Sequence, residues 1–323
     1  LFKTYSGPKQ LSCSAFNITN DGGYIIVGHL HPYDVSADVW IVKTDSSGDM
    51  EWETLFSESF AQEACSVQQM YDGRYVITGK TNSSPTVWNA WLLILDSQGN
   101  IVQKNTIREH SYITEGSYQV VMDSIQTDDG NFIIVGHSGP DLDGWIAKID
   151  IHGEEIWNKT YGGIFADVFR SVEQTSDGGY IIVGNTNSFG DGDKACDALI
   201  MKIDSEGNMQ WNRTFDSGTK GFVLCDVMET HDEYYLGMNP DNPRDDGFIA
   251  VGYYGSDDGY IVKLNSRGRR QWDKIIGGTD VDTFTSVHQV QNGDYIIAGL
   301  TYSFDAEFAD AWLVQIDPDG KIR

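Results

Sequence analysis

Short apolar runs alternate with tight polar clusters along the whole chain. "YIIVG" at 180–184 is typical: β-branched and aromatic, preceded by "SDGG", and far too short for a helix, so it predicts a strand. The same phrase stands as "NDGGYIIVG" at 20–28, "YDGRYVITG" at 71–79, "DDGNFIIVG" at 128–136, "DDGFIAVG" at 245–252 and "QNGDYIIAG" at 291–299. A second apolar phrase follows each at variable distance: "DVWIVKTDSSG" at 38, "NAWLLILDSQG" at 89, "DGWIAKIDIHG" at 143, "DALIMKIDSEG" at 197, "DGYIVKLNSRG" at 258 and "DAWLVQIDPDG" at 310. Six copies of one paired phrase make this a repeat protein.

Each phrase is a strand with its turn. The Asp-Gly pairs ahead of the first phrase are hairpin signals, because glycine accepts the positive φ of a tight turn. The second phrase closes in Asp-x-x-Gly, often followed by a tryptophan (Trp52, Trp157, Trp211, Trp272) that opens a third strand such as "WNKTY". A further strand such as "RSVEQT", ahead of "SDGG", completes four antiparallel strands, the unit of a β-propeller blade. The 323 residues give about 54 per unit. The expected fold is all-β: one six-bladed β-propeller domain over residues 1–323, with no amphipathic helix. A β-solenoid would also repeat; variable insertions between strands favour the propeller. The last copy stops at "DPDGKIR" and the chain opens with "LFKTYSG", which reads as the missing continuation. Residues 1–5 are therefore expected to supply the outer strand of the blade formed by 285–323, which would leave no open sheet edge.

The paired phrase, most fully "SDGGYIIVGNTNSFGDGDKACDALIMKIDSEGNMQWNRTF", resembles the repeat of large surface and secreted propeller proteins of archaea, especially methanogens, and of some bacteria. The resemblance implies an exported, non-catalytic domain, often part of a larger surface protein or assembly. The copies at 89–103 and 215–246 depart from the pattern.

Charge narrows the partners. A formal charge of −26 and a pI near 4.3 disfavour nucleic acid and anionic membrane surfaces. No stretch reaches membrane-span length and no signal peptide opens the chain, so Leu1, standing in mid-repeat, is expected to mark processing or the start of the ordered region. Asn17, Asn82, Asn158 and Asn212 head Asn-x-Ser/Thr sequons, and with four cysteines and the acidic surface they point to an extracellular or cell-surface location. Cys65 and Cys225 hold the same repeat position, with Cys13 one residue away. Cys196 ends the loop that in a propeller would lie beside the next innermost strand. Two readings remain: bridges Cys196–Cys225 and Cys13–Cys65, or four buried free thiols.

Comparing copies exposes columns. Asp38, Asn89, Asp143, Asp197, Asp258 and Asp310 precede the second phrase. Either they bind loop amides as architecture, or some hold a hard cation; Asp191, Asp193 and Asp197 in "GDGDKACD" are the best Ca²⁺ cluster, without the full calcium-loop signature. No other cofactor is expected. The aromatic column Trp40, Trp91, Trp145, Tyr260 and Trp312 is expected to pack between blades. The small column Ser66, Ser124, Ser171 and Ser286 suits a crowded centre.

Catalysis is disfavoured. The turns "TDSSGDMEW" and "IDSEGNMQW" are similar to the Asp-box of sialidase propellers, but only Arg170 sits where such an enzyme needs an arginine cluster. Between Val227 and Asp246 the fifth unit carries about fourteen additional residues, with Tyr234, Tyr235 and Met238 as an apolar contact element. The chain thus reads as an extracellular structural, adhesive or binding module. Its expected partners are other surface subunits or domains, copies of itself, or glycans, and it is not expected to insert into a membrane. The competing reading is a secreted hydrolase or lyase acting on glycans over the central channel.

Overall fold

The computed structural model describes residues 10–31, 38–58, 61–84, 87–107, 119–139, 141–189, 196–215, 220–231, 247–255, 258–304 and 309–323. Among these there is no helix, and so none that could cross a membrane. The strands form six antiparallel sheets, the blades of a six-bladed β-propeller, as the repeats predicted. The first three are β1 (Gln10–Ile18), β2 (Tyr24–His31), β3 (Asp38–Thr44) and β4 (Met50–Phe56); β5 (Gln62–Gln69), β6 (Tyr75–Ser84), β7 (Val87–Leu95) and β8 (Ile101–Ile107); β9 (Gln119–Gln126), β10 (Phe132–Ser138), β11 (Asp143–Ile149) and β12 (Glu155–Tyr161). The others are β13 (Asp167–Gln174), β14 (Tyr180–Thr186), β15 (Asp197–Ile203) and β16 (Met209–Phe215); β17 (Phe222–Thr230), β18 (Gly247–Tyr254), β19 (Asp258–Asn265) and β20 (Arg270–Ile276); β21 (Asp282–Gln289), β22 (Tyr295–Thr301) and β23 (Asp310–Ile316). The chain divides into two compact units, Leu1–Thr160 and Tyr161–Arg323, of three blades each.

The paired phrases read as continuous apolar runs because both faces of the middle strands are covered. All seven residues of β14 and of β15 are buried. Ile181, Val183 and Ile200 join Leu224, Phe248 and Tyr260 in one core between the fourth and fifth blades. Side chains of this size contribute about 1.5–3 kcal/mol each when fully buried. The outermost strands, such as β4 and β20, keep every second residue exposed, which is why "WNRTF"-type segments carry polar residues.

The "DGG" turn does more than reverse the chain. Asp21 and Asp177 accept from the amides of Gly23 (2.9 Å) and Gly179 (3.0 Å), and each also reaches a lysine on the third strand of its blade: Lys43–Asp21 at 2.8 Å, Lys202–Asp177 at 2.9 Å. Lys148 meets Asp129 in the same way at 2.6 Å. These lysines are buried, their stems running between blades to an ion pair at the rim. The second blade has Ile94 in place of the lysine, and its turn aspartate Asp72 is held by Arg74 at 2.6 Å instead.

Blades within a unit are latched by glutamine and glutamate side chains. Gln69 accepts from the Asn20 amide (2.7 Å), Gln126 from Tyr71 (3.1 Å), Glu229 from Ser176 (2.7 Å) and Gln289 from His231 (2.9 Å). On the outer side, the tryptophan of one blade covers the turn glycine of the next. A Cβ on Gly268 would lie 2.7 Å from Trp211, and the Trp272 indole donates to the Pro318 carbonyl at 2.9 Å.

Residues 1–5, assigned above to the sixth blade, lie outside the described residues. The sixth sheet has three strands, and its fourth position is started by the C-terminal residues: Ile322 bridges Ile316, and the Arg323 amide donates to the Gln315 carbonyl at 3.0 Å.

Candidate functional site

The acidic column takes its architectural place. The members lie at or near the start of the third strand and pair with the second, as in Thr81–Asn89, Ser138–Asp143 and Thr186–Asp197. Asp197 is 2 % exposed, and Asn89, Asp143 and Asp197 all have partners. Asp191 and Asp193 lie outside the described residues. Among the described residues no group of three or more His, Cys, Asp or Glu side chains could hold a metal.

A second polar column, missed in the sequence, begins the innermost strands. Gln62 donates to Thr81 Oγ1 at 2.7 Å, and Thr186 Oγ1 donates to Asp167. Ser303 Oγ donates to Asp282 Oδ2 at 2.9 Å, which also takes the Gly278 amide at 2.7 Å. The copies could have revealed it, since Gln62, Gln119, Asp167 and Asp282 stand at one offset from the first phrase.

The aromatic column packs as expected. Trp91, Trp145 and Tyr260 are at most 1 % exposed, and Trp312 stacks on Phe284 with ring centroids 4.7 Å apart. The small column links neighbouring strands: Thr78 Oγ1 and Ser124 Oγ are 2.9 Å apart, and Ser66 Oγ donates to the Ser124 carbonyl at 3.3 Å.

All four cysteines are free thiols. Cys65 and Cys225 are the extra residues where the innermost strands slip register against their partners. Burial pushes their thiols up, to about 12 and about 11. Arg170 and Tyr253 lie within electrostatic reach of both Cys196 and Cys225, so the structure brings that pair into one locality. Cys13 is exposed, its thiol near the Ala15 carbonyl. The sequon residues Asn17, Asn82, Asn158 and Asn212 are half-buried, on β1, β6, β12 and β16. Tyr234, Tyr235 and Met238 lie outside the described residues, but β17 and β18 stay paired up to Thr230–Gly247. The insertion therefore leaves and returns at one rung of the sheet.

The second unit also gathers carboxyl groups that the sequence reading did not isolate. Asp226 stands where three other blades have serine, the third has Asp123 and the first has Ala15. It accepts from Ser171 Oγ (3.1 Å), from its neighbour Val227 (2.9 Å) and from the Val287 amide (2.9 Å), joining three innermost strands. Burial raises its pKa. Glu173 takes the Glu229 amide, and burial, with Asp226 and Glu229 nearby, pushes its carboxyl up to about 8. These acids resemble an acid/base cluster, but backbone amides and a serine engage them, so their role in the fold is to hold strands together.

A cleft of about 600 Å³ opens between β16 and β20, lined by Arg213, Phe215, Phe222, Tyr260, Arg269 and Arg270 among others. The Tyr260 ring lies 4.6 Å from Phe222, and its hydroxyl donates to Asp273 at 3.3 Å. Arg213 lies over Trp211 at 5.3 Å and donates to the carbonyls of Gly268 (3.0 Å) and Arg267 (3.1 Å).

No protein-family model and no curated protein matches the chain. Solved structures do match in fold. A protein of unknown function from Dyadobacter fermentans is 13% identical over 98% of this chain and 96% of that one, with a TM-score of 0.57. Puromycin hydrolase is 10% identical over 99% of this chain but 47% of its own, with a TM-score of 0.59. The Pan2 WD40 domain of Neurospora crassa is 11% identical over 93% and 88%, with a TM-score of 0.52. At such identities the likeness concerns the fold alone.

Proposed function

We propose that this propeller is a non-catalytic binding module of an exported or cell-surface protein, joining other surface subunits or further copies of itself. One observation carries the reading: the polar positions that recur from blade to blade are engaged inside the fold, tying strands within a blade or one blade to the next. Turn aspartates bind lysines, Gln69, Gln126, Glu229 and Gln289 bind the turn of a neighbouring blade, and Asp226 joins three strands. A propeller whose repeated polar groups are internal presents what differs between blades, namely inserts and surface patches, to partners. The resemblance of the paired phrase to surface propeller repeats supports export, and the fold shared with a WD40 domain agrees with a role in protein association. The segment inserted between Thr230 and Gly247, with Tyr234, Tyr235 and Met238, is the proposed contact element.

The test is cross-linking of native cells with a membrane-impermeant reagent, using the natural chain and one with residues 232–246 replaced by a short Asp-Gly turn. The natural chain should be joined to other surface proteins or to itself, and the shortened chain much less. A chain protected from the reagent in intact cells overturns the surface location. Equal cross-linking of both chains removes the insert as the contact.

A further inference from the structure

The arginine-lined cleft of the second unit is the feature most out of keeping with the rest of the chain. Acidic residues outnumber basic ones 48 to 22, so a cation here ordinarily finds a carboxylate. Four of the nine arginines nevertheless gather at one place, Arg213 on β16 and Arg267, Arg269 and Arg270 in "NSRGRRQW". Only Arg270 has an acidic partner among the described residues, Asp273 at 3.4 Å, and the Arg270 side chain remains 54 % exposed. Arg213 is fixed by backbone carbonyls and the Trp211 ring, which orient its guanidinium without neutralising it. Arg267 and Arg269 are exposed.

The apolar part of the cleft is equally specific. Phe215, half-buried, is its accessible ring, backed by the buried Phe222 and Tyr260, whose centroids lie 4.6 Å apart. The cleft is bounded by β16 and β20, each the edge strand of its sheet. Edge strands offer backbone donors and acceptors to an extended segment. Guanidinium groups match carboxylates in a two-pronged geometry, and an aromatic floor takes a flat or branched apolar side chain. Such a combination suits a polypeptide better than a free acid, because a free acid uses the guanidinium groups alone, whereas a polypeptide can also engage an edge strand and the aromatic ring.

We infer that this cleft binds an acidic peptide segment of a partner protein, carrying at least two carboxylates beside one aromatic or aliphatic side chain. The inference rests on the binding role proposed above and names a partner class for it. Arg269 and Arg270 receive the carboxylates, the half-buried Phe215 ring, backed by Phe222 and Tyr260, receives the apolar side chain, and Arg213 holds the Gly268 turn in place.

The experiment titrates the purified chain with a synthetic peptide of sequence Glu-Glu-Phe-Glu, blocked at both ends, its Gln-Gln-Phe-Gln counterpart, and a galacturonate oligomer, using Trp211 fluorescence and calorimetry. The acidic peptide should bind, more weakly as salt rises, and the glutamine peptide at least about tenfold more weakly, the loss of one good charge-assisted contact. The double variant R269E/R270E, both exposed, should keep its melting temperature and lose the acidic peptide by at least the same factor. Equal binding of the two peptides, unchanged affinity in the double variant, no peptide binding, or binding of the galacturonate alone each overturns the inference. None of these outcomes touches the surface-module reading, which cross-linking tests separately.

Discussion

The carbonyl oxygen of Val168 occupies the position that a Cβ on Gly184 would need. The cause is a register slip: Phe169 faces Gly184, Ser171 faces Val183, and Arg170 is left over between them. That extra residue pushes the innermost strand toward its neighbour. The same slip leaves over Ser14, Cys65, Met122, Cys225 and Thr285 in the other blades, and in each the clash falls on the glycine that closes the first phrase. The bulge thus explains why "YIIVG" ends in glycine six times. Gly184→Ala must flatten the bulge or part β13 from β14, at a cost of about 2–4 kcal/mol. Urea unfolding measures this. Alanine at Gly178, where a Cβ meets nothing and only a positive φ opposes it, should cost less, about 1 kcal/mol.

Strands, turns and blade count were legible because period and turn chemistry are local. The bulge was not, because its extra residue can be Ser, Cys, Met, Arg or Thr; its mark falls on the facing glycine, whose role needs the pairing. The buried lysines were hidden for a related reason. Lys202 on an apolar strand reads as an outward-facing interruption until the turn carrying Asp177 is seen to meet its tip. The arginine cleft needed blade adjacency, since Arg213 and Arg269 are distant in sequence and meet only when β16 lies beside the following turn.

Lys202 and Asp177 are unequal partners. Lys202 is 5 % exposed and Asp177 55 %, so removing the aspartate strands a buried ammonium, whereas removing the lysine leaves a carboxylate that water can reach. Asp177→Ala should therefore destabilise more, by about 2–4 kcal/mol, than Lys202→Ile, by about 1–2 kcal/mol. Ile94 is the natural precedent for the milder change. Denaturation of both variants and the double mutant gives the order and the coupling; the reverse order would refute this account.

The thiols give a compartment-dependent prediction. Protein made under reducing conditions should release four thiols on denaturation, with Cys65 and Cys225 silent beforehand, since burial holds both well above the ordinary thiol range. Protein exported through an oxidising compartment should release none if Cys196–Cys225 and Cys13–Cys65 are bridged. Four thiols from exported protein reject both bridges.

Glu173 makes stability depend on pH between about 4 and 8. Its carboxyl is raised to about 8 when folded, first by burial and then by Asp226 and Glu229, while the unfolded chain restores the ordinary value near 4. Between those values the folded state holds more protons than the unfolded one, so stability falls as pH rises through the window and levels off above about 8. The turn aspartates Asp21, Asp129 and Asp177 are shifted downward; their contribution is lost only as pH falls below about 4, so the two effects separate cleanly. Gln68, at the corresponding position of the second blade, accepts the Gln126 amide at 2.9 Å without any charge, which makes glutamine the natural replacement. Glu173→Gln should match the natural chain near pH 5 and exceed it at pH 8.5 by about 4 kcal/mol, roughly 1.4 kcal/mol for each pH unit crossed up to about 8, with a correspondingly higher melting temperature. Melting curves across this range decide the matter: parallel profiles for the two proteins would show that Glu173 is ionised in the folded state at neutral pH and carries no such linkage.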